Sequence, residues 1–253
     1  VEWLKSYSQS ASREDGSQTQ DDCADAPSGA KLWGGPFDSP PSSDDILARA
    51  FDACEYMEDD AVLAAALTRL RTEGYCLIRR VETTKVGTSR AIERIGYMRR
   101  TLYSDGIWDT APRDHDADLL DTAYTNMELK PHTDCTYYQD APMLQFFNCE
   151  RDSDDVEGGQ TVLVDGFAVA ASLQQTDPDV FQYFCRTPLP FHCITPGEHL
   201  EVMTPVFNID PCTGRLRQFR LNNDDRAPIH PHKHSHVGDL DLFYRRYFPT
   251  LLA

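Results

Sequence analysis

The chain has 253 residues and a mass of 28.6 kDa, enough for one large domain with its own hydrophobic core. It carries 24 Lys and Arg residues against 41 Asp and Glu residues, so the formal net charge is −17. Nucleic-acid backbones and anionic lipid surfaces attract basic proteins, and this charge therefore argues against both as partners. The sequence also lacks an apolar run of about 20 residues, the length that a membrane-spanning helix needs.

The N-terminal segment differs in composition from the rest of the chain. Residues 1–45 are rich in Ser, Asp, Gly and Pro, which predicts a variable, largely irregular segment ahead of a domain over residues 46–253. The eight cysteines form no Cys-x-x-Cys pair and are expected to be reduced. The chain starts at Val1 rather than Met, and we expect it to be a fragment. Any targeting peptide would precede Val1, so a mitochondrial and a cytoplasmic location both stay open.

Helical signals dominate the first half of the domain. Polar N-capping residues, apolar positions at helical spacing and a terminating glycine mark the element ends. The elements predicted from these signals are a helix from Ser42 to about Met57, a helix from Asp59 to Gly74, a strand at 75–78 and a helix through Ile92, Ile95 and Met98.

Short strands separated by turn residues follow from about Leu129 onwards. They are predicted at 143–148, 161–164, 205–209 and 215–221, with helices near 167–174 and 179–184. The segment 210–214, which reads Asp-Pro-Cys-Thr-Gly, indicates a hairpin between the last two strands. Helices followed by strands predict an α+β domain whose core is a sandwich or barrel of strands.

The sharpest chemical feature is the triplet His132-Thr133-Asp134. If the triplet lies on a strand, His132 and Asp134 point to the same face, because side chains alternate with a period of two. One imidazole and one carboxylate could then occupy adjacent positions around a metal ion. With a second histidine they would form the facial triad of non-haem Fe(II) oxygenases. Taken alone, His-x-Asp is common by chance, and a capped turn or a surface ion pair explains it equally well.

Two other segments have weaker signals. The alternating histidines of residues 230–236 favour a solvated loop over a metal site, because no apolar residues nearby would fix their geometry. The glycine turn at 158–159 lacks the lysine of a phosphate-binding loop and the G-x-G-x-x-G spacing. It predicts a tight turn before a core strand, from which the Thr161 hydroxyl could face a cavity.

Aromatic residues gather on both sides of the His-x-Asp triplet. Core packing is the ordinary role of any one of them. Several rings around one pocket could instead hold a quaternary ammonium group by cation–π attraction, and the acidic chain would attract such a cation. The residues concerned are Tyr103, Trp108, Tyr124, Tyr137 and Tyr138.

Five ordered segments between residues 121 and 226 resemble a known family. They are 121–125 (DTAYT), 132–138 (HTDCTYY), 145–149 (QFFNC), 158–167 (GGQTVLVDGF) and 220–226 (RLNNDDR). They resemble the oxygenases of carnitine biosynthesis, trimethyllysine dioxygenase and γ-butyrobetaine dioxygenase, which are relatives of taurine dioxygenase. The first two segments look more similar to trimethyllysine dioxygenase. The resemblance implies a double-stranded β-helix (jelly-roll) that holds Fe(II) and uses 2-oxoglutarate, with ascorbate as reductant.

The resemblance also implies roles for single residues and for the substrate. His132 and Asp134 would bind the iron, and Thr161 would bind the 2-oxoglutarate carboxylate. The implied reaction converts 2-oxoglutarate to succinate and CO₂ and hydroxylates Nε-trimethyllysine to 3-hydroxy-trimethyllysine, or alternatively γ-butyrobetaine to carnitine. A small trimethylammonium amino acid is the expected partner. The sequence leaves open whether the protein forms a homodimer. The implied substrate contacts are Tyr124, Trp108, Tyr103, Asp121, Asn222 and Asn223.

One part of the family pattern is absent. The second iron-binding histidine and the arginine for the distal 2-oxoglutarate carboxylate belong to an Asp-Asn-Trp-Arg-x-x-His-Gly-Arg segment that this sequence does not contain. We therefore expect an oxygenase domain truncated at its C-terminus that binds iron poorly and turns over little. A catalytically dead binding module is the alternative from a different functional class.

Overall fold

The structure is a computed structural model that describes residues 29–110, 124–125, 127–151 and 158–253. Helices and short strands alternate in these ranges, and two separate clusters of buried residues hold them together. The predicted α+β class is confirmed. Within the described ranges no helix is both long and apolar enough to cross a lipid bilayer.

The N-terminal helical region begins with a capping box. Ser42 and Asp45 exchange side-chain and backbone hydrogen bonds at the start of helix α1 (Ser43–Ala48). The single helix predicted from Ser42 to Met57 is wrong, because the chain leaves the helix after Ala48 and forms strand β1 (Phe51–Asp52) before α2 (Ala53–Glu58). The Asp52 side chain caps α2 and pairs with Arg80, so a tertiary contact overrides the local helical pattern.

The next elements follow the prediction more closely. Helix α3 (Asp60–Glu73) ends at Gly74, whose φ of 82° closes the helix in the left-handed conformation that glycine adopts without strain. Strand β2 (Ile78–Arg79) pairs in parallel with β1 and is shorter than predicted. Helix α4 (Lys85–Glu93) ends before Ile95 and Met98, so its predicted C-terminal half is wrong. Tyr56 is fully buried between these helices and donates a hydrogen bond to the Ala91 carbonyl at 2.9 Å.

The C-terminal region contains helices and two antiparallel hairpins. Helices α5 (Gly166–Thr176) and α6 (Pro178–Arg186) confirm the predicted pair. Strands β5 (Phe207–Ile209) and β6 (Leu216–Phe219) confirm the hairpin around 210–214, where the Asp210 carboxylate accepts hydrogen bonds from two turn amides. The hairpin of β3 (Leu189–Thr195) and β4 (Glu198–Thr204) was not predicted, although its Pro196-Gly197 turn is a recognisable signal.

The chain then ends in a helical stretch packed on the larger core. The stretch comprises a 3₁₀ turn (Ser235–Val237), α7 (Leu240–Leu242), a π-helical turn (Phe243–Tyr247) and α8 (Phe248–Leu252). The core beneath it consists largely of aromatic and aliphatic side chains from α6, the hairpins and this stretch, among them Phe181, Phe184, Leu189, Phe191, Phe207 and Phe243.

Two predicted strands are not observed. Residues 143–148 and 161–164 are in no helix or strand, and several of their apolar side chains are exposed, including Met143 at 92% and Val162 at 72%. A strand needs a neighbour to hydrogen-bond with, and apolar composition alone does not supply one. The sheets in the described ranges are all two-stranded, so the closed sandwich or barrel stays a prediction.

Residues 220–227 link the two C-terminal hairpins. The Arg220 amide donates to Val206 at 2.8 Å, at the base of the β5–β6 hairpin. The Ala227 amide donates to Pro190, and the Asp225 carbonyl accepts from His192, at the start of β3. The 220–227 segment is therefore fixed at both ends. It carries Leu221, which contacts Thr133 of the His-x-Asp triplet, and Asp225, which contacts Thr136 just after it.

Candidate metal centre

The His-x-Asp triplet lies in a turn rather than on a strand. Residues 131–138 adopt bends and turns, and Cys135 has a positive φ of 56°. The turn is fixed by Thr133, whose amide donates to the Leu221 carbonyl at 2.7 Å and whose hydroxyl accepts from the Leu221 amide at 3.0 Å. The predicted strand geometry is thus wrong, but the turn still brings the His132 and Asp134 side chains together.

The two side chains have the geometry of neighbouring metal ligands. His132 Nε2 lies 3.0 Å from Asp134 Oδ1. Two donors that are each about 2.1 Å from one ion, and at a right angle to each other, are also about 3.0 Å apart. His132 Nδ1 lies 2.6 Å from the Lys130 carbonyl, a contact that fixes the proton on Nδ1 and leaves the Nε2 lone pair for a ligand role.

Electrostatics favour a positive charge between the two side chains. The hydrogen bond with Asp134 raises the pKa of His132 to about 9, and this outweighs the opposite effect of burial. Burial tends to raise the pKa of Asp134, but the hydrogen bonds from His132 and Gln145 outweigh it and the pKa is lowered. Between a carboxylate and an Nε2 lone pair at this distance a positive charge is required. Either a proton or a metal ion can supply it.

Fe(II) fits the donor set of this pair, but the described residues provide only two of the three ligands of a facial triad. Neutral imidazole nitrogen and carboxylate oxygen are the donors that such iron sites use. The Gln145 amide bonds Asp134 Oδ2, which leaves Oδ1 toward His132. In the described ranges no group of three His, Cys, Asp or Glu side chains could hold a metal ion.

Some of the aromatic residues predicted to line a pocket contact one another. Tyr103 and Trp108 stack on each other with ring centroids 5.0 Å apart and an interplanar angle of 17°. Each ring therefore has one face covered by the other, and a cation could approach only an outer face. The Tyr103 hydroxyl lies 3.3 Å from the hydroxyl of Tyr137, two residues beyond the Cys135 turn. Tyr124 is buried, with 6% of its surface exposed.

The other residues predicted to contact the substrate or 2-oxoglutarate have different surroundings. Asn222 follows Leu221 directly and is therefore next to the Thr133 contact, while Asn223 is exposed and its side chain accepts from Arg226 Nε. Thr161 is exposed, and among the described residues no hydrogen bond connects it to His132 or Asp134. Asp121 lies outside the described residues.

The histidine-rich segment 230–236 is not uniformly solvated, which corrects the prediction. His234 is 3% exposed, and its Nδ1 accepts a hydrogen bond from the His230 amide at 3.0 Å. Burial, together with the charges of Lys233 and the neighbouring histidines, lowers the pKa of His234. As the pH falls below about 6.5, the unfolded chain takes up this proton first, so the folded state loses stability in that range.

Three residues near the pair had no role assigned from the sequence. Gln145 contacts the Asp134 carboxylate, and Arg220 and Asp225 hydrogen-bond to the turn that follows it. Gln145 and Arg220 are 11 and 86 positions away from Asp134 along the chain. The only sequence signal is that all three lie in the segments that carry the family resemblance.

Comparison with known proteins identifies the family. Residues 38–245 match the taurine catabolism dioxygenase TauD, TfdA family. A trimethyllysine dioxygenase of Meyerozyma guilliermondii is 36% identical over 163 residues, which are 62% of this chain and 38% of that protein. The mitochondrial trimethyllysine dioxygenase of Gallus gallus is 34% identical over 182 residues, 70% of this chain and 42% of that protein.

A relative with a different named activity is also similar. The γ-butyrobetaine dioxygenase of Pseudomonas sp. (strain AK-1) is 30% identical over 197 residues, which are 78% of this chain and 49% of that protein. The chain therefore matches less than half of the length of each of these relatives. Because the family match covers most of its length, the chain belongs to the TauD/TfdA dioxygenase family.

Proposed function

We propose that this chain forms part of an Fe(II)- and 2-oxoglutarate-dependent dioxygenase that hydroxylates Nε-trimethyllysine to 3-hydroxy-trimethyllysine. The observation that carries the proposal is the 3.0 Å separation of His132 Nε2 and Asp134 Oδ1, with His132 held by the Lys130 carbonyl. The named relatives support the reaction and the substrate. When bound, the iron would supply O₂ activation and the oxidation of 2-oxoglutarate to succinate and CO₂.

In this proposal the residues of the chain bind and orient the reactants. His132 and Asp134 hold the iron, Thr161 binds the 2-oxoglutarate carboxylate, and Asn222 and Asn223 contact the polar end of the substrate. Tyr124, Trp108 and Tyr103 receive the trimethylammonium group, which is attracted by aromatic faces. Asp121, outside the described residues, would pair with the α-amino group.

The proposal also includes the arrangement of the strands, the cellular location, the reductant and the partners. A double-stranded β-helix is supported by the family match and by the two antiparallel hairpins that flank the site. Mitochondrial location is suggested by the names of relatives, ascorbate is the proposed reductant, and the charge of −17 disfavours a nucleic-acid partner. The homodimer stays a prediction.

γ-Butyrobetaine hydroxylation is the second candidate, because the relative of that name aligns with 78% of this chain. The two substrates share the trimethylammonium group, but only trimethyllysine carries an α-amino group for an acidic side chain to bind. A substrate comparison therefore separates the candidates.

The test supplies the full-length protein that contains this chain with Fe(II), 2-oxoglutarate and ascorbate, and it measures succinate and hydroxylated product by mass spectrometry. More product from trimethyllysine than from γ-butyrobetaine supports the proposal, and the reverse preference supports the second candidate. The His132→Ala and Asp134→Ala variants are expected to abolish product, with the exposed His232→Ala as the matched control. Binding of trimethyllysine without any succinate would identify a non-catalytic binding module instead.

A further inference from the structure

Arg220 is a buried cation that bonds to the turn carrying the metal-ligand pair. It is 4% exposed, and its Nη1 donates to the Tyr138 carbonyl at 2.9 Å and to the Thr136 carbonyl at 3.4 Å. Its Nη2 donates to the Gln139 carbonyl at 3.4 Å and to Gln218 Oε1 at 3.1 Å. Among the described residues the Arg220 Nε has no hydrogen-bond partner, and Asp140 is a carboxylate that acts on the guanidinium by its charge alone.

A buried guanidinium without a hydrogen-bonded carboxylate is costly for stability. An apolar residue of similar volume would fill the same space at a lower desolvation cost. Most of the hydrogen bonds that Arg220 donates go instead to three carbonyls of the turn that follows Asp134, those of Thr136, Tyr138 and Gln139. This arrangement fixes the path of the backbone, which is a positioning role rather than a general packing role.

Asp225 fixes the same turn from the other end of the 220–225 segment. Its Oδ2 accepts from the Thr136 hydroxyl at 2.6 Å and from the Thr136 amide at 3.3 Å. The Thr133 contacts with Leu221 fix the residue before Asp134. One short segment therefore holds the backbone on both sides of the carboxylate ligand.

The turn needs such restraint because Cys135 is strained. Its φ of 56° lies in the left-handed region, which a residue with a Cβ adopts at a cost of order 1 kcal/mol or more. Strain of this kind persists only where surrounding contacts determine the conformation. Cys135 lies between Asp134 and Thr136, so the contacts that hold Thr136 also hold the strained backbone that leaves Asp134.

We infer that Arg220 and Asp225 are positioning residues: they hold the turn that follows Asp134 and thereby keep the Asp134 carboxylate in place beside His132, where the two side chains can share one metal ion. The inference rests on the proposed function, because it takes these two side chains as metal ligands. It adds that the affinity for the metal is set partly by residues that never touch it.

The test measures the affinity of the protein for Co(II) from the visible absorption of the bound ion, together with the free energy of unfolding without metal. Arg220→Met is expected to weaken Co(II) binding about 10- to 100-fold, the usual effect of removing a supporting contact. Arg217→Met is the matched control, because Arg217 is exposed on β6 three residues before Arg220, and the affinity of this variant is expected to match wild type.

The Asp225 variants separate hydrogen bonding from charge. Asp225→Ala is expected to weaken Co(II) binding about tenfold, whereas Asp225→Asn, which keeps an acceptor for Thr136, is expected to stay within about threefold of wild type. Adding Cys135→Gly to Asp225→Ala should restore most of the affinity, because glycine adopts a positive φ without strain. Adding Cys135→Ala should not restore it, because alanine keeps the Cβ.

The outcomes distinguish a failure of the metal-ligand assignment from a failure of the positioning inference. If His132→Ala binds Co(II) as tightly as wild type, the ligand assignment fails, and the positioning inference fails with it. If His132→Ala weakens binding but Arg220→Met and Asp225→Ala change only the free energy of unfolding, the positioning inference alone is overturned. If Arg220→Met does not fold, the Asp225 and Cys135 variants decide the question by themselves.

Discussion

Gly166→Ala is expected to destabilise the protein because there is no room for a methyl group at the start of α5. A Cβ on residue 166 would lie 2.8 Å from Phe219 Cγ, 3.0 Å from Phe219 Cβ and 3.1 Å from Phe219 Cδ1. Phe219 cannot move easily, because it lies on β6 and its ring packs 5.6 Å from that of Phe207 in the core.

The expected magnitude follows from two opposing effects. Forcing an extra methyl group into a packed site costs about 1–3 kcal/mol. Replacing glycine by alanine restricts the unfolded chain and contributes about 0.4–1 kcal/mol in the stabilising direction. The two ranges combine to a net loss of at most about 2.6 kcal/mol, and the 2.8 Å approach to Phe219 Cγ places residue 166 in the upper half of that range. At Gly96 a Cβ would meet no atom within 4 Å, so Gly96→Ala has only the stabilising effect.

Urea denaturation followed by far-ultraviolet circular dichroism measures both variants against wild type. The expected order of unfolding free energy is Gly96→Ala at or above wild type, and Gly166→Ala below both. A Gly166→Ala variant as stable as wild type would show that Phe219 and β6 shift without loss, and the argument from close packing would be refuted.

Three further predictions concern buried residues. Tyr56→Phe removes the hydrogen bond to the Ala91 carbonyl. The free energy of unfolding, measured by urea titration, should fall by about 1–3 kcal/mol. An unchanged free energy of unfolding would mean that water replaces the lost bond. Phe207→Ala should cost about 3–5 kcal/mol in the same measurement, and a loss below 1 kcal/mol would contradict the fully buried position of this ring. In His234→Asn the side chain still accepts a hydrogen bond from the His230 amide but cannot take up a proton. The free energy of unfolding of this variant should therefore fall less than that of wild type between pH 6.5 and 5. The exposed His232→Asn is the control, and its pH profile should match that of wild type. The wild-type slope in this range is at most about 1.4 kcal/mol per pH unit for the one proton, and equal pH profiles of all three proteins would exclude His234 as the cause.

Elements with their own local signals were predicted well. Helix α3 has a capping aspartate at one end and Gly74 at the other, and the β5–β6 hairpin has a turn sequence whose side chain bonds its own backbone. These signals act over a few residues and need no partner from elsewhere in the chain. The strands predicted at 143–148 and 161–164 were wrong, because apolar composition does not specify a pairing partner.

The sequence by itself determined the residue types of the site and their family resemblance, including His132 and Asp134. The tertiary structure alone decided how these two side chains meet, since they lie in a turn at residues 131–138 rather than on a strand. That turn is held by Arg220 and Asp225, more than 80 positions away. Contacts over such a separation depend on the packing of the hairpins, and no local pattern in the chain encodes them.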